Sequence, residues 1–151
     1  MTEAIKQNRG LVLHFVGDAI VAVFGAPVSY DDHPDTAVEA ALEMRRRTLL
    51  LNESLREQGF DPLNHGIGIH TGAVLAGNIG SKERASYTLI GDAMNLTSRI
   101  EGLTKEFLCD IILSQTTYNL LTGNFLTKNL SSVKVKGKKQ EIMIYQLLGH
   151  A

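Results

Sequence analysis

The stretch His14-Phe-Val-Gly-Asp-Ala-Ile-Val-Ala-Val-Phe-Gly25 decides the reading of the fold. Two apolar runs flank a Gly-Asp pair, so Leu11 to Val16 and Ala19 to Phe24 are expected to be strands. Gly17-Asp18 is short-hairpin chemistry, because glycine tolerates φ > 0 and aspartate tolerates turns. A tight hairpin holds the Asp18 carboxylate at the exposed tip of two strands. That placement suits a divalent cation, since Mg²⁺ is commonly held by one or two carboxylates plus substrate phosphates. An ordinary turn aspartate satisfies the same local pattern, and the rest of the chain has to separate the two readings.

At 151 residues the chain is the size of a single domain, and its 44% hydrophobic content is ample for a core. The formal net charge of −1 argues against a nucleic-acid footprint or a polybasic membrane patch. Cys109 is the one cysteine, so no intrachain disulfide forms, in keeping with a reducing cytosol. It stands beside Ile111-Ile112-Leu113 and reads as a small core residue rather than a nucleophile. No apolar run approaches the roughly 20 residues of a membrane span, and no signal-peptide pattern stands at the start. The expected location is cytoplasmic, or the cytoplasmic face of a membrane through segments outside this chain.

Outward from the hairpin, Met1 to Arg9 reads as the end of a helix. Asp32 is a candidate N-cap with Pro34 in the first turn, and a long helix is expected from about Asp35 to Gln58, closed by Gly59. Its inner face is read as Val38, Ala41, Leu42 and Leu49. Arg45-Arg46-Arg47 has the look of a nucleic-acid patch, but in a near-neutral chain it reads as a solvated helix face. Gly66 to His70 alternates as a strand, Gly72 punctuates, and Ala73 to Ile79 is expected to be its hairpin partner. Gly80 to Ser86 reads as a polar loop and Tyr87 to Ile90 as a short strand. A helix from about Ala93 to Phe107 follows, then a strand at Asp110 to Leu113 and a short helix near Gln115 to Leu121. Two last strands, near Ser132 to Lys136 and Glu141 to Leu147, flank the Gly137-Lys138-Lys139-Gln140 turn. Mixed helices and hairpins argue an α+β fold with a largely antiparallel sheet. Gly66-Ile-Gly68 lacks the third glycine of a dinucleotide fingerprint, and no Gly-Lys-Ser/Thr phosphate loop is present.

The order of these segments resembles the catalytic domain of class III adenylate and guanylate cyclases. The resemblance is carried by His14-Phe-Val-Gly-Asp18-Ala-Ile, Gly68-Ile-His-Thr-Gly72, Gly77-Asn-Ile-Gly80-Ser, Tyr87-Thr-Leu-Ile-Gly-Asp-Ala-Met-Asn95-Leu-Thr-Ser-Arg99 and Val135-Lys136-Gly137-Lys138. It covers nearly the whole chain. It implies a ferredoxin-like α+β domain that pairs with a second cyclase domain, as a homodimer or heterodimer, with active sites in the cleft between them. The implied reaction is attack of the 3′-hydroxyl of a nucleoside triphosphate on its own α-phosphate, giving a 3′,5′-cyclic nucleotide and pyrophosphate. Two divalent ions, Mg²⁺ or Mn²⁺, are implied as cofactors, in the manner of two-metal phosphoryl transfer.

Residue by residue, the resemblance makes Asp18 the second metal-binding aspartate. Asn95 and Arg99 match the pair used on ribose and on the transition state, and their spacing of four places both on one helix face. An arginine fork can hold several phosphate oxygens. Lys136 matches the lysine on the triphosphate, although Lys134, Lys136, Lys138 and Lys139 also suit an edge guarded against aggregation. Thr88 matches the purine-facing position of adenylate cyclases, where a hydroxyl can accept from the adenine amino group. His14 departs from the family, which carries lysine here for adenine and glutamate for guanine. Histidine can donate to adenine N1, or accept in its other tautomer, so the base is left to Thr88, which favours ATP. His70 reads as structural.

One family segment has no counterpart. The family begins with a strand of Phe-x-Asp-Ile-x-Gly-Phe-Thr type carrying the first metal aspartate, and nothing here matches it. The expectation is a single, partial catalytic domain over residues 1–151 that lacks its first strand, with one of two metal ligands visible. Regulatory domains are expected outside the chain. The alternative is a catalytically inactive cyclase-like regulatory or dimerisation module. A diguanylate cyclase shares the hairpin, but lacks a second acidic residue at Ala19 and leaves Asn95 to Arg99 unexplained.

Overall fold

The computed structural model describes residues 1–134 and 140–151. Helix α1 (Thr2–Gln7) leads into a hairpin of β1 (Leu11–Val16) and β2 (Ala19–Val23). The long helix α2 (His33–Glu57) and strand β3 (Ile67–Ile69) follow, and then a second hairpin, β4 (Leu75–Ser81) with β5 (Arg84–Ile90). Helix α3 (Asp92–Glu106), strand β6 (Ile111–Ser114), helix α4 (Gln115–Leu120), strand β7 (Phe125–Lys134) and strand β8 (Glu141–His150) complete the chain.

The central sheet has the order β3-β6-β8-β7. Its β3–β6 pair is parallel, with Gly68 opposite Ile112, and its other pairs are antiparallel. All four residues of β6 are buried, because the strand is covered on both faces. Ile111 and Leu113 join Val38 and Ala41 of α2 and Leu147 of β8. Ile112 joins Ile100 and Leu103 of α3 and Ile144 of β8. A strand covered on both sides reads as a continuous apolar run rather than an alternating one. Each fully buried aliphatic side chain of this kind contributes about 1.5–3 kcal/mol.

The α+β class and the first hairpin stand as expected from the sequence, and three pairings or faces differ. Ala73 to Ile79 does not pair with β3. As β4 it pairs with β5, from Leu75 opposite Ile90 to Ser81 opposite Arg84, so the stretch read as a polar loop is mostly strand. β3 pairs instead with the distant β6. The outer strand β7 starts at Phe125, seven residues before the sequence suggested, because its half-buried and exposed positions mix polar and apolar types. Expectations for the 137–140 turn lie largely outside the described residues.

The inner face of α2 also differs. Val38 and Ala41 are fully buried and Leu42 packs on the same cluster, but Leu49 is exposed. Beyond Met44, which packs on the same cluster, the inward positions are polar: Thr48 and Asn52 are buried, and Arg45 is mostly so. Arg45 is not a solvated residue. Its Nε and Nη2 donate to the two Asp110 carboxylate oxygens at 2.5 and 2.8 Å. Its Nη1 and Nη2 donate to the carbonyls of Leu148 and Leu147 at 2.8 and 2.7 Å. Asn52 clamps the backbone of Leu63 in both directions. Arg46 and Arg47 do lie at the surface and bind Glu43. Hydrogen bonds from Arg46 and then Arg47 hold the Glu43 carboxyl at a pKa of about 2.

His65 lines a cavity of about 180 Å³ together with Arg45, Asn52 and Asp110. Its Nε2 is buried with no hydrogen-bond partner among the described residues and stands 3.9 Å from the Asp110 carboxylate. Burial lowers the His65 pKa, Asp110 opposes that shift and Arg45 adds to it. The folded chain therefore binds this proton less readily than the unfolded chain, whose histidines titrate near 6.5. Stability from this group is present above that value and is lost as pH falls below it toward the lowered folded value. We expect urea unfolding between about pH 7.5 and 5.5 to show a fall in stability that is shallower in His65→Gln. Identical slopes for the two proteins would exclude this role for His65.

Candidate active site

The β1–β2 turn is two residues long, with Val16 paired to Ala19 across it. Gly17 takes φ 61° as the first central residue, as a type II′ hairpin requires. Asp18 is exposed beside it, with no hydrogen bond or ion pair among the described residues. His14 lies opposite Val21 on β1. The register slips between Val12 and His14, so Leu13 is an extra residue in the strand. Such bulges re-aim side chains: Val12 and Leu13 are half-buried, whereas His14, Phe15 and Val16 are exposed. Nothing in the sequence marks the bulge, since Leu13 sits in an unbroken apolar run.

Thr88 lies on β5 opposite Gly77 and is half-buried. Its hydroxyl donates to the Ser86 carbonyl at 3.3 Å. β5 passes through Gly91 directly into α3, which buries Ile100 and Leu103. Asn95 and Arg99 are exposed on that helix, and neither has a hydrogen-bond or ion-pair partner among the described residues. The structure thus sorts the candidate residues into two groups. His14 and Asp18 share one hairpin, and Thr88, Asn95 and Arg99 share a strand and the helix that follows it. No strand pairing joins the two hairpins. Lys136 lies outside the described residues.

His70 ends β3. Its Nδ1 and the buried Ser114 Oγ are 2.9 Å apart, Ser114 Oγ contacts Thr117 Oγ1, and Thr117 Oγ1 contacts Thr71 Oγ1 at 3.0 Å. Ser114 also accepts from the Thr117 amide as the N-cap of α4. The structural reading of His70 agrees with this network. Cys109 packs with the α3 cluster, and its thiol pKa is raised by burial and then by Asp110, which keeps it protonated and poorly nucleophilic.

Residues 1–149 match the family described as the adenylate and guanylate cyclase catalytic domain. The chain belongs to this family. An adenylate cyclase of Anabaena cylindrica is 38% identical over 154 residues, covering 97% of the chain and 30% of the relative. Among solved structures, the guanylyl cyclase Cya2 is 34% identical with a TM-score of 0.87, over 99% of this chain and 75% of that one. The adenylyl cyclase CyaB from P. aeruginosa is 28% identical with a TM-score of 0.86, over 99% and 77%. The chain spans less than a third of the length of the curated cyclases it matches.

Among the described residues, no group of three or more His, Cys, Asp and Glu side chains is placed to hold a metal ion. The donor set at the hairpin is the single exposed carboxylate of Asp18. It fits Mg²⁺ or Mn²⁺ when triphosphate oxygens complete the shell, and by itself it is too few ligands. We expect isothermal titration with Mn²⁺ to show binding in the presence of a non-cyclisable ATP analogue and little without it. Asp18→Ala should abolish the nucleotide-dependent part. Equal binding with and without the analogue would contradict this role.

Proposed function

We propose that the chain is a single catalytic domain that converts ATP to its 3′,5′-cyclic monophosphate and pyrophosphate, in partnership with a second cyclase domain. The observation that carries this reading is the state of the candidate residues. His14, Asp18, Asn95 and Arg99 are all exposed and unpartnered among the described residues, whereas the arginines of the Arg45-Arg46-Arg47 run are all consumed by internal partners. A family member that keeps these side chains free has them available for a ligand.

In the reaction the 3′-hydroxyl releases its proton to solvent, the O3′–Pα bond forms, the bond from Pα to the bridging oxygen breaks, and pyrophosphate leaves. Negative charge grows on the phosphate oxygens, so catalysis is chiefly positioning and electrostatic stabilisation. Arg99 supplies a planar cationic fork for those oxygens. Asn95, one helical turn earlier, offers an amide to the ribose. Lys136 is assigned to the triphosphate on its sequence context alone. A divalent ion held by Asp18 and the phosphates would supply charge neutralisation when bound.

The choice of adenine rests on Thr88. Its single hydroxyl proton is used on the Ser86 carbonyl, which leaves the oxygen to accept a hydrogen bond. Lone pairs match the 6-amino group of adenine and oppose the 6-oxo group of guanine. His14 is assigned as the donor to N1.

A second domain is supported by exposed apolar side chains on both hairpins. Leu75 is 72% exposed, Phe15 and Val16 are each 60% exposed, and Ile79 and Ile90 are exposed too. Apolar surface of this kind marks association sites. Use of ATP fits a cytoplasmic location, and among the described residues no helix is long and apolar enough to cross a membrane.

The test is complementation. The sequence supplies one of the family's two metal carboxylates, so product is expected from a mixture and not from the chain alone. The partner is a cyclase domain that carries both metal aspartates but has its own arginine at the Arg99 position removed. Mixing should restore cyclic AMP formation, and absence of product in every mixture would favour the inactive module. Arg99→Ala in this chain should lower kcat by about 10²-fold or more, with a smaller change in KM. A normal kcat with raised KM would reduce Arg99 to a binding residue.

The mixture also decides the base. With ATP and GTP compared by kcat/KM, ATP should be preferred, because each buried mismatch costs roughly 1–3 kcal/mol. A preference for GTP would overturn the assignment of Thr88.

A further inference from the structure

We propose that Gly68 is a positioning residue: its lack of a side chain sets how closely α3 approaches the sheet, and so where Arg99 stands. The proposal rests on the reading of Arg99 given above. Gly68 is the middle residue of β3, between Ile67 and Ile69, which face the α2 cluster. Position 68 therefore faces α3. A Cβ there would collide with the backbone nitrogen of Glu101, and would stand 2.8 Å from Glu101 Cα and 2.9 Å from the Thr97 carbonyl oxygen. These are main-chain atoms, which cannot rotate aside. The backbone of Gly68 is not in the left-handed region, so conformational freedom does not explain the glycine. Glycine weakens a strand interior, and its presence in one marks close approach of another backbone.

The contact brackets Arg99. Thr97 and Glu101 lie two residues before and two after it, and at 3.6 residues per turn both point roughly opposite to it. Sheet contact and guanidinium therefore occupy opposite sides of the same helical turn. Any outward push at Gly68 is delivered to Arg99 as displacement. Ordinary carbon contacts settle near 3.5–4.0 Å, so a methyl group at this position demands a shift on the order of 1 Å. Displacement by about 1 Å can cost on the order of 10²-fold in rate. Among the described residues, no other glycine meets the backbone of α3. Gly66 on the approach to β3 meets only side-chain atoms, Thr104 Oγ1 and Glu101 Oε1.

The experiment measures kcat and KM in the complementing mixture for Gly68→Ala, Gly66→Ala and Arg99→Ala, and for Gly68→Ala combined with Arg99→Ala. Gly68→Ala should lower kcat by roughly 10- to 100-fold with KM for ATP little changed. Gly66→Ala should lower thermal stability and leave kcat unchanged. In the Arg99→Ala background, Gly68→Ala should have almost no further effect, as coupled residues behave in a double-mutant cycle. Should Gly68→Ala fold poorly, the same series is run in a stabilised Gly102→Ala background, a helix position where a Cβ meets open space and alanine is the better helix former.

A normal kcat in folded Gly68→Ala, or an equal penalty with and without Arg99, overturns the proposal while leaving Arg99 in its role. A normal kcat in Arg99→Ala overturns the underlying reading and this proposal with it.

Discussion

The guanidinium of Arg45 joins three parts of the chain that are far apart in sequence. One side chain from the middle of α2 grips the Asp110 carboxylate at the entry to β6 and two carbonyls near the end of β8. The planar fork serves four bonds at once, which a lysine ammonium at the same place would not reproduce. Charge-assisted hydrogen bonds of this kind contribute about 1.5–3 kcal/mol each when well shielded. Both partners here retain some solvent, so the lower part of that range applies. The bond set fixes α2 against one face of the sheet, and the cluster of Val38, Ala41, Ile111 and Leu113 closes over the same face.

With one face of the sheet held by α2, the other is free to specify α3. Ile112 and Ile144 receive Ile100 and Leu103, and Gly68 lets the helix backbone come down onto β3. Thr88 and Asn95 lie on either side of the Gly91 junction, where β5 becomes α3. The two halves of the candidate site therefore have different foundations. Thr88, Asn95 and Arg99 are tied to the packed sheet through α3. His14 and Asp18 stand on a hairpin that joins no other strand among the described residues.

The legible parts of the sequence were those governed by local chemistry. Gly17-Asp18 between two apolar runs gives its hairpin away, because the turn residues and both strands fall within a dozen positions. The two long helices were likewise found to within about two residues, from Pro34, Gly59 and the Gly91-Asp92 boundary. The pairing of Ile67–Ile69 was not legible, since its partner lies more than forty residues on and Gly72 imitates a turn toward the nearer strand. The inner face of α2 is illegible for a related reason. Apolar spacing points to Leu49 as core, and charge points to Arg45 as surface. The partners that make Arg45, Thr48 and Asn52 acceptable inside come from Asp110, Leu147, Leu63 and the helix's own carbonyls. For the site, motif order singled out Asp18, Asn95 and Arg99. The bulge that turns His14 outward and the bond that commits the Thr88 proton are visible only in three dimensions.

The polar lining of the second half of α2 has a thermal consequence. Exposing apolar surface raises the heat capacity on unfolding, while exposing polar surface lowers it. Around Ala41 the helix rests on aliphatic side chains. From Arg45 to Asn52 it is held by the Arg45 guanidinium and the Asn52 amide. The two halves of one helix are thus attached by interactions with different temperature dependence. On cooling, the aliphatic end loses strength as the hydrophobic effect weakens, and the polar end retains a larger share of its hold. Cooling is therefore expected to weaken the attachment of the beginning of α2 more than that of its end.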